Sequence, residues 1–286
     1  MSERLVEYFS LEHIICYVGV VIYGIWLLRT SLGTKALSDS SVRRNNMPVW
    51  LAFVPLLIWF GIVGILAHLR EKLLPELADW HGVFSDNLLL CVGAIAGGIV
   101  TIILARESFA QRLKGFGFDL RTVWKDLWAA ILNLLGIWPI VMAMIVLMML
   151  LGKLIYGPGY EIQQHQELEF IIEYPQLPVR IVIIVAAVFV VPVFEEMLFR
   201  GLFQSMIRSV LEVRWPLLGS GPKAWVAIAF SSALFAMVHA NPTHWPALFA
   251  LAMCLGYSYE KSGSLFRPIF IHSLFNGVSL LAALNQ

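Results

Sequence analysis

Two adjacent carboxylates, Glu195 and Glu196, stand at the end of an apolar run, Val190-Val-Pro-Val-Phe-Glu-Glu-Met-Leu-Phe-Arg200. An ionisable side chain inside an apolar helix is costly, and marks a functional candidate by default. Glu196 and Arg200 are four residues apart, so they share a helical face and can pair. Glu195 is rotated by about 100° and points elsewhere. One carboxylate is then neutralised by arginine, and the other is left free in a low-dielectric pocket as a candidate general base. An interfacial Glu–Arg pair at a helix end explains the same residues equally well. The histidines shift that balance. Phe235-Ala-Met-Val-His239 sets an imidazole at the end of one apolar helix, and His272-Ser-Leu-Phe-Asn276 sets an imidazole and a carboxamide on one face of another. A lone histidine in such a helix is more often a packed, hydrogen-bonded residue. Two of them with an asparagine and a Glu pair offer a base, a proton shuttle and oxyanion donors.

The remaining histidines read differently. His244, in Asn241-Pro-Thr-His-Trp245, fits an interfacial loop residue better than a helper of His239. His13, His68, His81 and His165 fall near the ends of apolar segments or in loops and read as interfacial. The chain has no His-Glu-x-x-His zinc motif, no Gly-x-Ser-x-Gly elbow, no Gly-x-Gly-Asp and no Gly-rich phosphate loop.

These groups must be positioned by membrane helices. Of 286 residues, 59% are hydrophobic and 14% charged. Soluble domains run near 45–50% and about 25%. There are too few charges to cover a soluble surface, and too much apolar area for disorder. A net charge of +1 argues against a nucleic-acid partner. Cys16, Cys91 and Cys254 lie far apart in apolar runs and read as small packing residues, neither a disulfide framework nor a metal set. The fold class is all-α, a polytopic transmembrane helical bundle.

A spanning helix needs about 20 apolar residues. Eight segments qualify: 11–28, 47–69, 87–105, 127–151, 179–199, 224–239, 245–259 and 268–284. The last three are short or interrupted by polar residues, so seven spans is an alternative. Glu3, Glu7 and Glu12 stand where a signal peptide carries basic residues, so the first segment reads as a span. With both termini outside, Arg4, Arg70, Lys72, Lys153 and Arg180 fall outside, and the other fifteen Lys and Arg of 20, Arg44 among them, fall inside. That bias supports this orientation. Residues 106–126 read as an amphipathic segment lying in the cytoplasmic interface. The acidic stretch 152–178 reads as an outside loop with a short amphipathic helix.

The three motifs together, Glu195-Glu-x-x-x-Arg200, Phe235-x-x-x-His239 and His272-x-x-x-Asn276, resemble those of the CAAX-protease and bacteriocin-processing (CPBP, or Abi) family of intramembrane proteases. The stretch Lys261-Ser-Gly-Ser-Leu-Phe-Arg-Pro-Ile is similar to that family's lead-in to its last motif. The resemblance covers about residues 179–283. It divides the chain into four N-terminal spans with their loops, residues 1–178, and a catalytic helical core, residues 179–286.

The resemblance implies an intramembrane endopeptidase acting on a membrane-associated or lipidated protein or peptide. Glu195 would activate water with help from His239. His272 and Asn276 would stabilise the oxyanion, and Glu196 and Arg200 would support the site. The favoured chemistry uses no cofactor, because Asn276 is a poor zinc ligand and a good oxyanion donor. A zinc enzyme would use Glu195, His239 and His272, a mixed O/N set that zinc accepts. Two other readings stand beside it, a non-catalytic membrane protein (bacteriocin immunity or a scaffold) and a proton-coupled transporter. Short loops point to a bacterial inner membrane.

One geometric demand follows. Glu195 and His239 must meet within hydrogen-bond reach or through one water. If the Glu helix ended near Phe199, the two would lie at opposite depths. The helix is therefore expected to run on to about Leu211, with Arg208 and Arg214 at the cytoplasmic surface. A water-filled pocket is expected between the last four helices.

Overall fold

In the computed structural model, each of the eight apolar segments forms a helix. The structure describes residues 11–43, 45–74, 79–163 and 165–284; Glu3, Glu7, Arg4 and Arg44, used above for the leader and the charge bias, lie outside them. The long helices are α1 (Leu11–Arg29), α2 (Val54–Leu73, entered through the 3₁₀ turn Val49–Phe53), α3 (Asp79–Ser108), the short α4 (Arg112–Phe116) and α5 (Val123–Tyr156). They are followed by the short α6 (Gln166–Glu173), then α7 (Leu177–Arg214), α8 (Ser220–Met237), α9 (Trp245–Ser262) and α10 (Phe266–Leu284). The described residues hold no strand, only an isolated bridge between Asn45 and Phe109. The chain is a helical membrane bundle.

The span count differs from the expectation of eight. Among the described residues five helices are long and apolar enough to cross a membrane: Val49–Leu73, Asp79–Ser108, Leu120–Tyr156, Leu177–Arg214 and Phe266–Leu284. The other three expected spans exist as helices α1, α8 and α9. The apolar part of α1 is short. α8 opens on Ser220-Gly-Pro-Lys223, and α9 ends on Glu260-Lys261-Ser262. Polar ends of this kind shorten the stretch that hydrocarbon can cover.

The N-terminal helices pack into the same core as the C-terminal ones. Trp59 of α2 meets the ring of Phe194 on α7 edge-on, with centroids 5.2 Å apart. Gly97 of α3 lies against the same ring, where an added Cβ would come within 2.7 Å of it. Membrane helices lack a hydrophobic drive to associate, so small residues that admit close packing mark their interfaces. Large apolar side chains such as Leu57, Ile65, Ile95, Ile103 and Leu147 remain exposed on the outer faces of α2, α3 and α5. That suits a lipid surround.

α7 is the longest of these helices at 38 residues, and it is not uniform. It is α-helical over Leu177–Ile184, π-helical over Val185–Val190, α-helical over Val191–Glu196, π-helical over Met197–Gln204 and α-helical again over Ser205–Arg214. The Glu pair thus sits between two π turns, a feature frequent at functional sites. Pro192 accounts locally for the first, because it lacks the N–H that a regular helix needs. The continuation past Leu211 is as expected. Arg208 is more enclosed than a residue at a surface need be. It is 2% exposed, paired with Glu212 and bonded to Ser220 Oγ at 2.6 Å, so it lies inside the bundle.

Of the two long connections, one departs from its sequence reading. Within 106–126, Leu120 and Trp124 are exposed, but Phe116 is fully buried. Its ring occupies the place of a Cβ at Gly201 on α7. The segment therefore plugs into the core and does not lie flat on it. In 152–178 the expected short amphipathic helix is present as α6, anchored by the buried Ile171.

Candidate active site

Three elements bring the site together. α7 contributes Glu195, Glu196 and Arg200, α8 contributes Phe235 and, just past its end, His239, and α10 contributes His272 and Asn276. Glu196 and Arg200 pair across one turn at 2.8 Å, as their spacing requires. Both are 0% exposed. The second guanidinium nitrogen donates to Ala252 O of α9 at 3.4 Å, and the guanidinium lies over the Phe235 ring, 4.6 Å from its centroid. Arginine is thus met by a carboxylate, a carbonyl and an aromatic face.

Glu196 has a second partner. The same oxygen that accepts from Arg200 accepts from His272 Nδ1 at 2.9 Å. A carboxylate can only accept, so Nδ1 of His272 carries a proton. Its other nitrogen, Nε2, faces Glu195 Oε2 at 3.8 Å. That exceeds a hydrogen bond, and it sets the free carboxylate beside the imidazole. Glu195 is 6% and His272 4% exposed. The two glutamates therefore take separate parts: Glu196 is tied to Arg200 and His272, and Glu195 faces only the imidazole edge.

His239 completes the ring of groups. Its Nδ1 donates to Phe235 O at 2.8 Å, because a carbonyl cannot donate. Nε2 is therefore left with a lone pair. Trp245 Nε1 donates to the His239 carbonyl at 2.9 Å and fixes the backbone there. His239 is half-buried, more open than Glu195 or His272. It makes no hydrogen bond to either glutamate. What the two imidazoles share is Phe235, whose ring centroid lies 4.9 Å from that of His239 and 5.7 Å from that of His272. Phe235 is fully buried, and its contacts with Arg200 and both imidazoles are visible only in three dimensions. Asn276 also sits on this side, with its amide donating to Ala187 O of α7 at 2.7 Å.

The sequence reading missed a second imidazole pair. His165 and His244 stack with centroids 4.0 Å apart, and His244 Nε2 donates to Gln163 O at 2.9 Å. His244 is 9% exposed, so neither residue is a freely hydrated interfacial group. The loop that carries α6 is thereby tied to the turn Pro242–His244 beside His239. Burial, and then the neighbouring His244 and His239 imidazoles, push the His165 ring down to about 4. Burial lowers His244 as well. Both rings are neutral at neutral pH. No spacing rule foretells such a pair, since the residues are joined across two loops.

The fit of a metal can be tested on the same geometry. Among the described residues, no group of three His, Cys, Asp or Glu side chains is placed to hold a metal ion. Glu195, His239 and His272 form no such group, although the Nδ1 contacts of His272 with Glu196 and of His239 with Phe235 O leave each Nε2 open. As arranged, these residues do not fit zinc.

No curated protein and no solved structure matches the chain. Residues 177–278 match the family model described as Rce1-like, Type II CAAX prenyl endopeptidase Rce1-like, and the match supports assigning this part of the chain to the CPBP/CAAX protease family.

Proposed function

We propose that the chain is an intramembrane endopeptidase that hydrolyses a peptide bond in a membrane-associated or lipidated protein or peptide. The family match supports intramembrane protease activity in general. The observation that carries the finer reading is the contact between Glu195 and His272 in a buried site where Glu196 and Arg200 neutralise each other.

Glu195 takes a proton from a water whose oxygen attacks the scissile carbonyl carbon. That proton passes to the leaving amine nitrogen as the C–N bond breaks. His239 assists through Nε2, the nitrogen its backbone contact leaves free. The imidazolium form of His272 keeps Nδ1–H on Glu196, offers Nε2–H to the developing oxyanion and retains both protons through the turnover. Glu196 then serves as the carboxylate behind an imidazolium, holding both its charge and its orientation. Asn276 adds the N–H not spent on Ala187 O. Glu196 and Arg200 support the site without touching substrate. No step is routed through a metal. Residence in a bacterial inner membrane belongs to the same proposal.

The test uses purified protein in liposomes with a peptide that ends in a prenylated cysteine and three further residues. Mass spectrometry is expected to find the released C-terminal fragment. If neither this peptide nor a panel of other membrane-anchored peptides is cut, the endopeptidase reading fails.

A further inference from the structure

The first π turn of α7 leaves one carbonyl without a backbone donor. Val191 N–H donates to Ala186 O, five residues back, where a regular α-helix would aim it at Ala187 O. The next amide that could reach Ala187 O with the same five-residue step belongs to residue 192, which is Pro192 and has no N–H. Inside a bilayer an unpaired carbonyl is costly, because no water is at hand to satisfy it. The donor that reaches it is Asn276 Nδ2 of α10, at 2.7 Å.

We infer that Asn276 is a positioning residue: its carboxamide replaces the N–H that Pro192 lacks and latches α10 to the α/π junction that sets the pitch of Glu195. Glu195 lies three residues beyond Pro192 on the same helix. His272 lies one turn before Asn276 on α10, facing Glu195. The latch therefore fixes the two elements whose side chains meet at the site. Downstream, the buried Phe194 and Met197 hold the helix in register, so a junction that slipped would move Glu195 relative to His272.

The inference rests on the protease reading only for its kinetic arm. The other arm needs no substrate. Four proteins are compared in detergent: the parent, Asn276→Ala, Pro192→Ala and the double variant. In Asn276→Ala, amide exchange over residues 188–196 is expected to quicken by at least about tenfold, the scale of an unsatisfied buried carbonyl. In the double variant alanine supplies the missing N–H at residue 192, and exchange should return to the parent rate. If Asn276→Ala does not fold, recovery of folded protein in the double variant carries the same meaning. Unchanged exchange in Asn276→Ala, or a double variant no better than the single, overturns the latch. For cleavage, kcat should fall in Asn276→Ala with little change in KM, and the double variant should regain part of it, the remainder being the N–H that Asn276 itself offers the oxyanion. Recovery of exchange with no gain in kcat over Asn276→Ala would overturn the positioning role.

Discussion

Replacing Glu196 with glutamine should weaken the fold and the activity together, and the structure gives the scale. The Glu196 and Arg200 side chains are 0% and 1% exposed, so water cannot make up for a lost charge. Glutamine keeps one carbonyl oxygen for a hydrogen bond but leaves the guanidinium's charge with neutral partners, that oxygen, Ala252 O at 3.4 Å and the Phe235 ring. Removing one partner of a buried pair costs about 3–5 kcal/mol, because the other charge stays buried. For a chain of this size that lowers the melting midpoint by roughly 5–10 °C. Removing both charges, as in Glu196→Gln with Arg200→Met, should recover much of the loss, since apolar replacement of a buried pair is often neutral. His272 would lose its charged acceptor in either variant, and misplacement of a group by about 1 Å can cost roughly 10²-fold in rate. Cleavage should therefore stay low even where stability returns. Melting in detergent by tryptophan fluorescence, run beside a cleavage assay, separates the two effects. A single variant that melts with the parent, or a double variant that melts lower than the single, would refute the buried-pair reasoning.

Other outcomes follow from the same geometry. Gly201→Ala places a Cβ inside the Phe116 ring and should cost about 1–3 kcal/mol by overpacking, read as a lower melting midpoint. The His165 ring titrates near 4 in the fold against about 6.5 when unfolded. Between those values only the unfolded chain binds the proton, so stability should fall as pH drops from about 6.5 towards 4. His165→Phe should flatten that part of the melting profile. A chelator should leave cleavage unchanged, and inhibition reversed by added zinc would contradict the metal-free account.

Much of the bundle could be read from the sequence because helices in a membrane depend on local composition. Each apolar segment became a helix, and Glu196 and Arg200 paired as an i, i+4 spacing dictates. The demand that the Glu helix run on was also sound, since it followed from depth alone. What escaped depends on contacts between distant residues. Glu196 and His272 are 76 residues apart, and His244 and Gln163 are 81. The burial of Arg208 could not be read because Glu260 and Ser220, which help enclose it, lie on other helices. The π turns escaped as well. A proline forecasts a break, but which carbonyl is orphaned, and that Asn276 meets it, depends on how α10 packs. The amphipathic reading of 106–126 missed the burial of Phe116 for a related reason. Its exposed Leu120 and Trp124 fit a membrane surface, while Phe116 had a glycine-sized gap on α7 waiting for it.

The central claim is that Glu195 activates water for peptide-bond cleavage with help from His239. The most direct measurement is the initial rate of fragment release from one liposome-bound peptide by the parent, Glu195→Gln and His239→Ala, each shown to melt with the parent. The account predicts that Glu195→Gln releases no fragment above background and that His239→Ala is severely slowed. Release by both variants at the parent rate would contradict it.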